Sequence, residues 1–451
     1  MADSMESTMD VVIEGATVLT AEPGRPVIED GVVGISCNRL AVVAARSDLR
    51  EVPRAHRHLD ARGRVVTPGF VNVHTHAILT MVRGVAEDMG FAPAYTPGVP
   101  HGHDVTPDEA VALGRLGALE ALLFGSTLIN DSYVHAGHTL PAMGETGMRV
   151  WSCGRIHDVD FTRVHEQIWE HKDAIGEQTL GDAVALVERW HGGMAGRLGV
   201  HLAAHAPDTC SRRLLERVRD TAARYGLGVN THLAQSRVEV ERIREREGIS
   251  PAELLDDIGL LNERLVAAHC LFLDDNDFER VGNARINVAH IPKGNATGGT
   301  AAPTSRLRRA GARIALATDN MHADMVEVMR WGLNIGRLQE GAVTDFWQPE
   351  DVFRMATLDG ARALGLDGDI GSLAAGKKAD LVVFDYRRAH LTPATDVLGN
   401  LVHVGQGRDV ETVIVDGRVV VEDGRAVLVD QDEIRLQAAE AARQLWIRAR
   451  G

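Results

Sequence analysis

Seven short apolar segments of this chain end in a residue able to hold a metal ion or move a proton. They are VNVHTH (His74, His76), TLIND (Asp131), HLAAH (His205), GVNTH (His232), LVAAH (His269), INVAH (His290) and IALATD (Asp319). Imidazole nitrogens and carboxylate oxygens suit zinc, iron or cobalt, and spacing alone does not choose among them. An ion held by such groups lowers the pKa of water toward neutrality and supplies hydroxide, so hydrolysis is the chemistry these residues point to.

Each element of that set is weak alone. In a chain with 20 histidines an HxH triplet is expected about once by chance. Three occur: His56/His58 in an Arg-rich turn, His74/His76, and His101/His103 in the Pro/Gly stretch TPGVPHGHD. The first and third read as solvated loop histidines. Only His74/His76 closes an apolar strand, where alternation sends both rings to one side. A lone strand-end histidine is usually structural; histidines recurring at successive strand ends, with an aspartate at another, indicate a shared site.

The elements that must position these residues follow a regular order. Candidate strands are 69–76, 126–132, 148–154, 198–206, 227–232, 264–270, 285–290 and 312–319, separated by amphipathic stretches such as DEAVALGRLGALEALLFG and SRRLLERVRDTAARYG. Eight strands alternating with helices predict an α/β fold, a (β/α)8 TIM-like barrel whose active site lies at the C-terminal strand ends. Residues 11–67 and the stretch after about Leu366 are instead rich in short β segments. The expected organisation is therefore 1–66 and 367–451 as two parts of one small composite β-sandwich, the second closing in a helix over 431–448, with the barrel at 67–366.

Several lookalikes carry no chemistry. GSLAAGKK has Lys378 where a phosphate-binding loop needs Ser or Thr, and a strand follows it. In HEQIWEH the second histidine is six residues from the first, unlike HExxH. The Met and Trp residues around Met325–Trp331 are expected to pack a helix.

Composition sets the outer bounds. At 451 residues there is ample chain for a large core, and no apolar run approaches a membrane span. The net charge of −15 argues against nucleic-acid and anionic-membrane partners and leaves a small-molecule substrate. The first ten residues are polar and acidic, without the basic and apolar regions of a secretory leader, which predicts a cytoplasmic location. Cys37, Cys153, Cys210 and Cys270 are far apart, with no CxxC pair, so neither a disulfide framework nor a zinc-thiolate site is expected.

Taken together, TPGFVNVHTHA, HAPDTCS, NTHLAQSRVEVE, LVAAHC, VAHIPKGNA, LATDN and IGSLAAGKKADLVVFD resemble the amidohydrolase superfamily. The resemblance is to its metal-dependent aminohydrolase and chlorohydrolase branch, and it covers essentially the whole chain. It implies one divalent metal per subunit, zinc foremost with iron or cobalt as alternatives, held by His74, His76, His232 and Asp319. Binuclear relatives bridge two ions with a strand-4 lysine, and LGVHLAAHA has none. It further implies that Asp319 takes the proton of the attacking water and passes it to the leaving group. His269 donates to, or orients, the tetrahedral oxygen. The substrate-facing set expected is Gln235, His205, Lys293, His290 and Asn295, and barrels of this family commonly form homo-oligomers.

Three departures bear on the substrate. Heterocycle-deaminating relatives carry glutamate three residues after the strand-5 histidine, where it moves a proton to a ring nitrogen; this chain has Gln235, and an amide transfers no proton. Lys293 stands where serine is usual, placing a cation near the pocket mouth, and Asp208 where tyrosine is common. The family's tryptophan segment after strand 1 is replaced by FAPAYTPGVPHGHD. These favour cleavage of an amide, urea or carbamate-type bond. The alternative is an aminohydrolase or chlorohydrolase acting on a purine, pterin or triazine-like ring. A non-catalytic scaffold is the third possibility, disfavoured because all four ligand positions are kept.

Overall fold

Strands of a parallel barrel are covered on both faces, so they must be nearly continuous in apolar or small residues. The barrel strands of this chain meet that demand: every residue of β2 (Ser126–Tyr133), for example, is buried. The computed structural model describes residues 8–89, 96–320 and 322–450. Part of the segment substituted after strand 1, residues 91–95, and residues 1–7 of the acidic start lie outside them.

Eight parallel barrel positions run in chain order: β1 (Phe70–Thr75), β2, β3 (Arg149–Ile156), β4, β5 (Val229–Leu233), β6 (Leu265–His269), β7 (Asn287–His290) and β8 (Arg313–Leu316). β4 is broken into Leu198–Val200 and Leu202–Ala204, so the single long strand predicted there is interrupted at His201. The two pieces serve both neighbours, the first pairing with β3 and the second with β3 and β5. The ring closes just beyond β8, where Thr75 and Asp319 form a parallel bridge.

The helices that cover the barrel start and stop where local chemistry says. Pro107–Leu123 begins with a capping box, the Thr106 hydroxyl accepting from the Glu109 N–H while the Glu109 carboxylate accepts from the Thr106 N–H. Arg212–Tyr225 is capped by Ser211 and ends at Gly226 with φ +70°, the left-handed turn glycine takes without strain. Met325 and Met329 pack the inner face of Met325–Glu340 as expected, but Trp331 is 40% exposed. It lies on the solvent side of that helix.

The chain ends meet in a second, nine-stranded sheet. Leu381–Asp385 pairs antiparallel with Arg64–Pro68, which joins C-terminal to N-terminal strands. Residues from both parts, including Ile13, Ile35, Val66, Leu381 and Ile414, share one apolar cluster. His56 and His58 lie on a strand of this sheet, Ala55–Asp60, exposed on one face, and not in the turn anticipated from the Arg-rich sequence. A helix over Val397–His403 also interrupts the predicted run of C-terminal strands. The closing helix is Gln431–Arg450, and no helix among the described residues is long and apolar enough to cross a membrane.

One buried ion-pair cluster ties the sheet to the barrel. Arg149, at the start of β3, donates from Nε and Nη2 to the Asp380 carboxylate at 2.6 and 3.0 Å and from Nη2 to Asp416 at 2.7 Å. Removing the cation leaves two carboxylates facing each other out of water, which is costly. Arg149→Met is therefore expected to destabilise the protein by about 3–5 kcal/mol, seen as a lowered denaturation midpoint in urea.

Candidate active site

Backbone pairing, before any side chain, sets the centre of the site. The Asp319 N–H donates to the His74 carbonyl and the His76 N–H donates to the Asp319 carbonyl, both at 3.1 Å. Asp319 is held at φ +66°, His269 at φ +73° and Ala234 at φ +48°. Non-glycine residues in this region are strained, and such strain persists where the surrounding structure overdetermines it. Three positions of the site region therefore carry left-handed backbone that no periodicity of the sequence announces.

The imidazoles are aimed by their second nitrogens. His76 Nδ1 donates to the Ser132 carbonyl at 2.5 Å and His232 Nδ1 to the His205 carbonyl at 2.6 Å. Each Nε2 is thereby left with its lone pair facing inward, and the two are 3.3 Å apart. The Asp319 carboxylate lies 3.4 Å from His76 Nε2 and 3.6 Å from His74 Nε2, and the latter is buried without a hydrogen-bond partner. Ligand atoms of His74, His76 and His232 fall within 4.8 Å of one another. Converging lone pairs, an orphaned buried nitrogen and an adjacent carboxylate fit a divalent cation: nothing else in the cluster satisfies them.

Burial governs the protonation of these groups. It pushes His76 down to about 3 and lowers His205, His232 and His269, so the rings are neutral at physiological pH. Burial would raise Asp319, but His74, His76 and His269 around it outweigh that and bring it to about 2, so it is anionic. Asp131 takes a different part. Its carboxylate accepts the Ala77 N–H at 2.8 Å, bracing the chain where it leaves β1, and burial raises it to about 6.

A cavity of about 360 Å3 opens onto this cluster, with His76, His232, His269 and Asp319 in its wall. Of the substrate-facing residues expected from sequence, Gln235, His205 and Asn295 line it. Gln235 presents a buried Nε2 that has no partner. Its backbone N–H and that of Ala234 both donate to Glu239, each at 2.8 Å. The nearby acid is thus spent on fixing the loop and does not replace the missing shuttle. Asn295 Oδ1, as oriented here, accepts from His269 Nδ1 at 2.9 Å, which leaves His269 Nε2 as an acceptor.

Two expected residues are not in that wall. Lys293 does not place a cation at the pocket mouth: its ammonium pairs with Glu327 at 2.7 Å, one helix away. His290 is fully buried, with neither ring nitrogen bonded, in contact range of the helix carrying Gly332. Asp208 stands behind the wall, accepting from Trp169 Nε1 at 3.1 Å, and burial raises its carboxyl to about 6. Trp169 itself is in the wall, with Arg242 over its ring at 3.6 Å.

Sequence reasoning missed Arg155. It stands one residue before the end of β3 in WSCGRIHD, lies 4.4 Å over the Tyr133 ring and 5.0 Å over Phe161, and faces the cavity. Its Nε is buried and unbonded, and it forms no ion pair among the described residues. A charged residue near the end of a barrel strand was the available signal.

A profile of the Amidohydrolase family matches residues 65–420. The 5-methylthioadenosine/S-adenosylhomocysteine deaminase of Pelotomaculum thermopropionicum is 36% identical over 448 residues, covering 97% of this chain and 99% of its own. The 5'-deoxyadenosine deaminase of Methanosarcina acetivorans is 32% identical over 449 residues, covering 98% and 99%. Among solved structures, an adenosine deaminase from Xanthomonas campestris with bound zinc superimposes with a TM-score of 0.87 at 26% identity, over 98% of this chain and 99% of that one. Atrazine chlorohydrolase from Arthrobacter aurescens TC1, complexed with zinc, matches with a TM-score of 0.83 at 20% identity, over 96% and 100%, a likeness of fold. Set against the two substrate classes expected from Gln235, these relatives weigh for the heterocycle aminohydrolase over the amide, urea or carbamate hydrolase. The chain belongs to the amidohydrolase family and is a metal-dependent hydrolase of carbon–nitrogen bonds other than peptide bonds.

Proposed function

We propose that this protein deaminates an adenine nucleoside altered at its 5' position, with zinc as its resident ion. The observation that carries the substrate class is full-length similarity, 36% identity over 448 residues, to a 5-methylthioadenosine/S-adenosylhomocysteine deaminase. Zinc is supported by a donor set of three imidazoles and one carboxylate, and by the zinc in the Xanthomonas neighbour. His74, His76, His232 and Asp319 would hold it. When bound, such an ion makes water nucleophilic at neutral pH.

The chain's own groups then divide the work. The Asp319 carboxylate, anionic at physiological pH, accepts the proton of the attacking water and returns it to the exocyclic nitrogen, which leaves as ammonia. His269 orients that water through its Nε2 lone pair, a role set by the Asn295 contact; the donation also anticipated for His269 requires the other tautomer. Gln235 Nε2 donates to a ring nitrogen, polarising the ring without protonating it. Arg155, a cation that forms no ion pair among the described residues, suits an anionic substituent such as the carboxylate of S-adenosylhomocysteine.

Zinc-loaded protein is expected to release ammonia from 5'-methylthioadenosine, S-adenosylhomocysteine or 5'-deoxyadenosine. No ammonia from any of the three, with cleavage of a urea or carbamate instead, overturns the proposal. Gln235→Glu should raise kcat for deamination, by about tenfold or more, because it restores a proton-transferring group worth roughly 10²–10⁴. Asn295→Ala should lower kcat by about 10–100-fold with little change in KM, and Asn295→Asp, which still accepts from Nδ1, should recover part of the loss. Steady-state ammonia release measures both.

A further inference from the structure

The closing helix reaches the cavity wall from outside. Its buried residues, Ile434, Ala438, Ala441 and Leu445, are spaced three and four apart and so form one stripe. Ala438, Ala441 and Leu445 share an apolar cluster with Leu79, Met81 and Val82 of the turn Ala77–Val82, which follows His76 directly. Leu79 lines the cavity, and Tyr133, a second wall residue, belongs to the same cluster.

Groups outside the turn hold it at both ends. At its start the Ala77 N–H donates to the Asp131 carboxylate at 2.8 Å. Near its end the Met81 carbonyl accepts from Trp446 Nε1, also at 2.8 Å. Leu79 sits between these two anchors. The indole is partly buried against the cluster, and the Arg450 guanidinium lies 4.8 Å over its ring. The closing helix also holds the far end of the connection from β1 to the helix Pro107–Leu123. Arg448 Nη2 donates to the Asp104 carbonyl at 3.2 Å and to the Glu109 carboxylate at 2.7 and 2.8 Å. Asp104 ends the turn Gly102–Asp104, where a Cβ added at Gly102 would lie 3.1 Å from Tyr133 Oη. The closing helix therefore grips this connection next to Leu79 and again next to Tyr133.

We propose that Trp446 is a positioning residue for substrate binding: its indole N–H fixes the Met81 carbonyl, and through it the place of Leu79 in the cavity wall. A short 3-10 turn has few internal hydrogen bonds of good geometry, so bonds from outside decide where it lies. Its first residue rests on the helix Pro107–Leu123, where a Cβ added at Gly117 would come within 2.7 Å of the Ala77 carbonyl. That support and Asp131 secure the end next to His76, while Trp446 secures the end that carries Leu79. Loss of the indole is expected to loosen the wall and leave the ligand cluster in place. The role rests on the reading of this cavity as the substrate site.

Amide hydrogen exchange, followed by mass spectrometry on zinc-loaded protein without substrate, reads the turn directly. In Trp446→Ala the segment 77–85 is expected to exchange about tenfold faster, with 265–272 unchanged. Trp446→Phe keeps a ring in place and deletes the donor; it should show a smaller acceleration, and it serves if the alanine variant does not fold. Zinc content should stay at the wild-type level, and KM for the deaminated nucleoside should rise about five- to tenfold with kcat within about twofold. If the deaminase reading fails, KM is read on the C–N substrate that the protein does turn over, and the exchange result stands by itself. A turn that exchanges as in the wild type overturns the role, and so does a faster turn with unchanged KM. A fall in kcat accompanied by loss of zinc also overturns it, because a general loosening of the barrel has that effect.

Discussion

The pair of backbone hydrogen bonds between Asp319 and the His74–His76 strand is the constraint on which the molecule turns. It closes the barrel, joining the first strand to the last, and it also sets the carboxylate beside the imidazoles. Ring closure and site assembly are thus one structural event. Neighbouring contacts reinforce it: Asn72 Nδ2 donates to Thr318 Oγ1 at 2.7 Å, and Thr75 Oγ1 donates to the Asp319 carbonyl at 2.7 Å. The strained backbone of Asp319 is held by this set of bonds, so the donor atoms are positioned before any ligand arrives.

Electrostatics then decide what the cluster does. Burial keeps His76, His232 and His269 neutral, and carbonyl groups of adjacent strands select the tautomer that turns Nε2 inward in His76 and His232. A buried anionic carboxylate among neutral rings calls for a cation, because an uncompensated charge out of water is expensive. Arg155 faces the cavity as a cation that forms no ion pair among the described residues.

The pocket walls show how substitution of single residues is absorbed by their neighbours. Asp208 holds Trp169 from behind, and Arg242 covers the other side of that indole. Glu239 is committed to two backbone N–H groups, so the glutamine at 235 stands as a neutral donor without an acid to assist it. The cavity combines two arginines, Arg155 and Arg237, several side-chain amides and an aromatic wall with the carboxylate of the ligand cluster.

Strand-end histidines and the final aspartate were legible in the sequence because strand alternation is local: a period of two and an apolar run reveal which residue ends a strand and which way it points. The barrel and the composite β region at the two chain ends were legible for the same reason, through the order of short periodic segments. Tertiary structure alone decided which charged residues face the cavity. Lys293 is turned away by Glu327, a partner 34 residues distant, while Arg155 is turned inward by the ring of Tyr133. It alone decided that His101 stacks between His103 and a histidine from another loop, His165. Such outcomes depend on contacts between elements far apart in the chain, and no local periodicity encodes them.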